Sequence, residues 1–169
     1  MKIDNLPHQQ QVTERKNTVI VSAFPACGRS TAYDILKYQL YDVINAESKK
    51  FSWKNFFGGR YHNPEFPNNY VEYIMKNIGV VDFIFTSSHE DIRNTMAKFH
   101  VPYILVYPDE SCLAEWVGRC YLRGNSHEYI HALIDNWEKW LDECHNDSNA
   151  IKHIVLGRND YLIDHLDLN

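Results

Sequence analysis

The stretch Ala23-Phe24-Pro25-Ala26-Cys27-Gly28-Arg29-Ser30-Thr31 holds residue types that handle phosphate. It follows the apolar run that starts at Thr18 and precedes a run with helical periodicity. In the pattern G-x-x-x-x-G-K-[ST], backbone N–H groups at a helix N-terminus surround an anion. Gly28 allows close approach of the backbone, and Ser30 is placed to ligate Mg²⁺. Three positions depart from the pattern. Ala23 replaces the first glycine. Ala26 stands where related loops often carry glycine, and a positive φ there would cost about 1 kcal/mol or more. Arg29 replaces lysine, exchanging a compact point charge for a planar fork. Arginine still binds phosphate bidentately, but phosphoryl transfer depends on geometry. Two readings stand: a phosphate site, or a strand-to-helix turn that needs Pro25 and Gly28 for shape alone.

A second pattern is His127-Glu128-Tyr129-Ile130-His131, which matches H-E-x-x-H. Two histidines at i and i+4 on a helix can hold Zn²⁺, with the glutamate activating water. This makes a zinc hydrolase a remote alternative. Candidate third ligands are Glu143, His145 and His153. The simpler reading is a polar helix start after Ser126, with Glu128 favouring the positive end of the dipole. Cys27 lies in the loop beside helix N–H groups and Arg29, which would lower its pKa; the competing reading is a buried, inert thiol. The four cysteines form no C-x-x-C pair, which fits reduced thiols in the cytoplasm.

The elements that must position these residues follow from hydrophobic patterning. Strand-length apolar runs fall at 18–24, 41–45, 80–86, 101–107 and 151–156. The near-continuous apolarity of VVDFIF and YILVY fits strands buried on both faces. Helical patterns span 30–40, 69–78, 89–99, 111–123 and 126–144. The alternation predicts an α/β fold, a doubly wound parallel five-stranded sheet, with ligands beyond the carboxyl ends of the strands. The long, aromatic segment 47–68, broken by Gly58-Gly59, Pro64 and Pro67, reads as a flap after strand 2. Residues 1–17 read as a mobile polar arm rather than a secretory leader, and 18–169 as one domain. A net charge of -5 argues against a general nucleic-acid binder, though not against a small basic cleft. No apolar run is long enough for a membrane span.

AFPACGRST, FSW, NPEFPNNYVEYI, VDFIFTSSHEDIR, VPYILVYPDES, RGNSHEYIHALIDNWEKWL and YLIDHL occur in this order. Together they resemble small nucleoside or nucleotide kinase-like P-loop proteins, chiefly encoded by tailed bacteriophages. The resemblance spans about residues 17 to 169 and implies an adenylate-kinase-like core in a host cytoplasm. ATP–Mg²⁺ would sit at Ala23–Thr31, with Ser30 on the metal, and a small-molecule nucleotide or nucleoside would accept the γ-phosphoryl group. Relatives often read D-S-D-S after strand 2, where this chain has Asn45-Ala46-Glu47-Ser48. Glu47 keeps a carboxylate there and Asn45 has lost one. The resemblance also implies a lid over 109–125 whose Arg119 and Arg123 clamp the transferring phosphates together with Arg29. Asn45, Glu47, Ser48, Trp53, Arg60, Ser87, Ser88 and Arg93 would bound the acceptor, with Phe56 and Phe57 also over its base. Drift at Ala26, Arg29, Asn45 and Glu47 keeps a second possibility open: a non-catalytic nucleotide binder on the same core.

Overall fold

The computed structural model describes residues 15–56 and 58–168 of the chain. Residues 1–14 of the expected arm, and Phe57 of the flap, lie outside the described residues. Strand β1 (Val19–Ala23) leads through α1 (Arg29–Tyr38) to β2 (Val43–Asn45). A short α2 (Lys49–Ser52) precedes a hairpin, β3 (Trp53–Phe56) and β4 (Gly59–His62), and then α3 (Asn68–Asn77). β5 (Phe83–Ser87), α4 (Glu90–Lys98) and β6 (Ile104–Pro108) follow. A 3-10 turn (Glu110–Cys112), α5 (Leu113–Leu122), α6 (His127–Asp135) and α7 (Trp137–His145) lead to β7 (Lys152–Leu156).

The expected doubly wound α/β architecture is the observed one. The main sheet has the order β2-β5-β1-β6-β7, and all its pairs are parallel. Each crossover carries helix, as parallel neighbours require. Ile84, Phe85, Leu105 and Val106 are fully buried, so helices cover both sheet faces. Each such side chain contributes about 1.5–3 kcal/mol by leaving water. β1 is central. The chain first winds outward to β2, returns through β5, then crosses to β6 and β7. The carboxyl heads of β1 and β6 therefore flank the switch point where an open sheet leaves a crevice.

Three expectations change. The helix expected over 126–144 is two helices, because Asn136 leaves helical geometry (φ -111°) and its Nδ2 donates to the Ala132 carbonyl at 2.8 Å. Trp137 then starts α7, donates to the Glu110 carbonyl at 2.9 Å and meets Phe24 edge-on. The flap is not irregular throughout: β3 and β4 form a separate antiparallel sheet. The arm does not end at residue 17, since Lys16 is bound to the fold. Its N–H donates to the Gly79 carbonyl, and its ammonium pairs with Asp42 and Asp82 below the amino ends of β2 and β5. Among the described residues no helix is long and apolar enough to cross a membrane.

Candidate phosphate-binding site

The loop from Ala23 to Thr31 caps the central strand. The Phe24 N–H donates to the Val106 carbonyl at 2.8 Å, extending β1 by one step toward β6. Ala26 then takes φ 64° and Gly28 takes φ 93°. The left-handed turn expected to need glycine at position 26 is therefore made by an alanine, at about 1–2 kcal/mol of strain. At Gly28 a Cβ would come within 3.2 Å of the Tyr161 ring, so the position is restricted by packing as well as by φ.

The loop's carbonyls are tied down from behind. Trp116 Nε1 donates to Pro25 at 2.9 Å, Arg119 Nη1 to Ala26 at 3.2 Å, and the Leu162 N–H to Cys27 at 2.9 Å. The amides of Ala26, Gly28, Arg29, Ser30 and Thr31 have no acceptor among the described residues. Free amide donors in and just before the first turn of a helix can receive an anion.

Charge agrees with this. The Arg29 guanidinium is half-buried and has no hydrogen bond or ion pair among the described residues. Burial pulls its pKa down, Tyr70 opposes this, and the nearby Arg123 charge lowers it further against Glu47. Arg123 is exposed and likewise has no carboxylate partner among the described residues. A half-buried cation beside a second cation is stabilised by an anion between them.

Arg119 is corrected from clamp to brace. It is only 9% exposed. Its guanidinium lies 4.0 Å from the Trp116 ring centroid and 4.1 Å from that of Tyr161. It donates to the Ala26 and Asp160 carbonyls and to Glu115. A planar fork suits this stacking, and it leaves Arg119 holding loop carbonyls rather than facing the amides. α5 buries Trp116, Arg119 and Cys120, so the expected lid is a wall fixed to the loop.

The acceptor residues divide. Asn45 Oδ1 is buried without a partner among the described residues, at the head of β2. Glu47 is exposed, pairs with Lys50 at 3.4 Å, and its charge reaches Arg29. The Ser48 carbonyl accepts from Phe51 and Ser52 in α2. Ser87 lies at the head of β5, where its carbonyl accepts from Ser22 at 3.1 Å. Tyr70 was not anticipated. Its hydroxyl donates to Ala46 at 2.6 Å and accepts from the Ser87 N–H at 3.3 Å, which joins the heads of β2 and β5. Burial pushes its pKa to about 12, so it stays a neutral donor. The only sequence signal for it was a tyrosine on the apolar face of α3.

Arg93 is a correction. It is 2% exposed, and it donates to the Ser88 and Glu143 carbonyls and pairs with Asp147. A buried guanidinium requires such a counter-charge, which keeps it and Ser88 out of the acceptor crevice. Burial pushes the Asp147 carboxyl up, but bonds from Tyr103 and Arg93 together hold it below the ordinary value. Trp53 and Arg60 lie on the hairpin, with the guanidinium 4.8 Å over the indole, and none of their bonds or ring contacts reaches the loop. Cys27 is fully buried, and burial pushes its thiol far up rather than down, which removes the reactive-thiol reading. In the H-E-x-x-H stretch, Ser126 caps α6 through the Tyr129 N–H at 3.2 Å, and His127 meets Tyr121. Among the described residues no group of three or more His, Cys, Asp or Glu stands where it could hold one metal ion.

No family model matches this sequence, and no curated protein matches it. Among solved structures the chain is similar to a gluconokinase from Sinorhizobium meliloti 1021, at 11% identity and a TM-score of 0.49, over 90% of this chain and 88% of that one.

Proposed function

We propose that the chain binds ATP with Mg²⁺ at Pro25–Thr31 and passes the γ-phosphoryl group to a hydroxyl of a nucleoside or nucleotide. The observation that carries this is that the amides of Ala26, Gly28, Arg29, Ser30 and Thr31 have no acceptor among the described residues, beside an Arg29 that has no partner there either. Arg29 and Arg123 neutralise phosphate charge, and the orphaned Asn45 Oδ1 receives a donor from the acceptor. The acceptor oxygen bonds to the γ-phosphorus, the bond from that phosphorus to the bridging oxygen breaks, and ADP leaves. The hydroxyl proton passes to Glu47. The exposed Ser30 hydroxyl would hold Mg²⁺, which would supply charge neutralisation. Positioning and preorganised charge make up the protein's contribution.

A second reading, a non-catalytic nucleotide binder, is favoured by one observation. Arg119, expected at the transferring phosphate, is engaged behind the loop. Thermal melting with a panel of nucleotides, with and without Mg²⁺, tests both readings. A ligand at 100 times its Kd stabilises the fold by about 2.7 kcal/mol. A coupled ADP-release assay with nucleoside and nucleotide acceptors then separates them. Turnover supports the kinase, a shift without turnover supports the binder, and no shift with any nucleotide refutes both.

A further inference from the structure

We propose that the β3–β4 hairpin carries a second site, independent of the phosphate loop, that binds single-stranded nucleic acid. The chain is acidic overall, yet residues 49–62 contain Lys49, Lys50, Lys54 and Arg60 and no Asp or Glu. The hairpin forms its own two-stranded sheet and pairs with no strand of the main one. Opposite charge draws a polyanion to such a ribbon.

Its rings are presented for stacking. In the ladder Trp53 faces His62, and Lys54 faces Tyr61. Tyr61 is 58% exposed, yet it is not loose. A Cβ at Gly59 would come within 2.8 Å of the ring's Cε2 and Oη, so Tyr61 lies directly against the Gly59 backbone. One side of the ring is fixed and the rest is open to solvent. Beside it a cavity of about 440 Å³ is lined by Lys54, Asn55, Tyr61, His62 and Pro64. Lys54 and Tyr61 share one face of the ribbon, so a ring to stack on and an ammonium for a phosphate match one nucleotide unit. Trp53, 43% exposed with Arg60 over it, offers a second aromatic–cation pair. Lys54 is paired with Glu65 at 2.9 Å, but both are exposed, so a phosphate displaces that contact at little cost.

These features favour a strand over its alternatives. Duplex bases are already stacked and cannot use an open ring. A lone nucleotide would use one cation, whereas the ribbon carries two, Lys54 on β3 and Arg60 on β4.

The test is fluorescence anisotropy of a labelled oligothymidylate, about a dozen residues long, titrated with the full chain at low salt. We expect binding that weakens with salt, with a log–log slope near -1.4 if two phosphates are met, at about -0.7 each. Tyr61→Ala should weaken binding about 5- to 150-fold, while Tyr61→Phe retains it. Lys54→Gln should reduce the salt slope by about 0.7. Melting curves on the same samples confirm that each variant is folded. Any of the following overturns the proposal: no binding at low salt, equal affinity for duplex, or unchanged affinity in folded Tyr61→Ala. Displacement by thymidine monophosphate at equal concentration, or equal binding to phosphatidylserine vesicles, does the same. Loss of binding in Arg29→Ala but not in Tyr61→Ala would place the strand at the loop and also overturn it.

Discussion

Replacing Arg119 with methionine keeps the length of the side chain and removes its charge and its fork. Two carbonyls, those of Ala26 and Asp160, lose their donor, and Glu115 loses its cation and keeps the Asn159 N–H. Hydrogen bonds to charged groups contribute about 1.5–3 kcal/mol each. The stacking on Trp116 and Tyr161 adds about 0.5–2 kcal/mol per ring, part of which methionine recovers through sulfur–aromatic contact. The net cost should be about 3–5 kcal/mol, the range for breaking a buried pair by removing one member. In a domain of this size that lowers the melting temperature by about 6–20 °C. Arg119→Lys, with a point charge and no fork, should fall between the two. The assay is thermal or urea unfolding without nucleotide, followed by nucleotide titration of the folded variant. A methionine variant that melts within about 1 kcal/mol of the parent yet loses nucleotide affinity would refute the brace, since Arg119 would then act on the ligand.

Ala26→Gly removes about 1–2 kcal/mol of left-handed strain and adds about 0.5–1 kcal/mol of chain entropy. It should leave stability unchanged or raise it by up to about 1.5 kcal/mol in urea melts; a clear loss would contradict the strained loop. Asp147 is held below the ordinary carboxyl value in the fold, so its contribution is present above the unfolded pKa near 3.9 and fades as pH falls through its folded value. Asp147→Asn should cost about 3–5 kcal/mol at neutral pH and flatten stability against pH below 5; an equally steep acid limb in the variant would oppose this. All four cysteines are buried, so a thiol-specific colorimetric reagent should label none in the native chain and all four after denaturation. One fast-reacting equivalent in the native chain would overturn the inert reading of Cys27.

Parallel-sheet strands were legible because their burial on both faces leaves a near-continuous apolar run, as in Phe83–Phe85 and Leu105–Val106. The loop was legible because Pro25, Gly28 and Ser30 keep their spacing between a strand and a helix. Roles decided by distant partners were not legible. Arg119 and Arg123 look alike in a helical projection, yet one is captured by Tyr161 and Asp160, far along the chain, and the other stays in solvent. Arg93 was misplaced for the same reason, since nothing near it in sequence announces Asp147. Tyr70 was missed because a tyrosine on an apolar face reads as packing until its hydroxyl partners are known. The break at Asn136 was hidden because apolar periodicity continues across it.

The Leu162 N–H on the Cys27 carbonyl joins a turn made early in synthesis to a segment made more than a hundred residues later. On the ribosome, β1 and α1 emerge with the turn between them still unsupported on that side. Of the three donors that hold the turn's carbonyls, the Leu162 N–H is the last to be synthesised, after Trp116 and Arg119. A C-terminally shortened chain can hold a complete sheet and still lack the tie behind Cys27, so the phosphate affinity proposed for the loop should report on completion of the molecule more sharply than does secondary structure content.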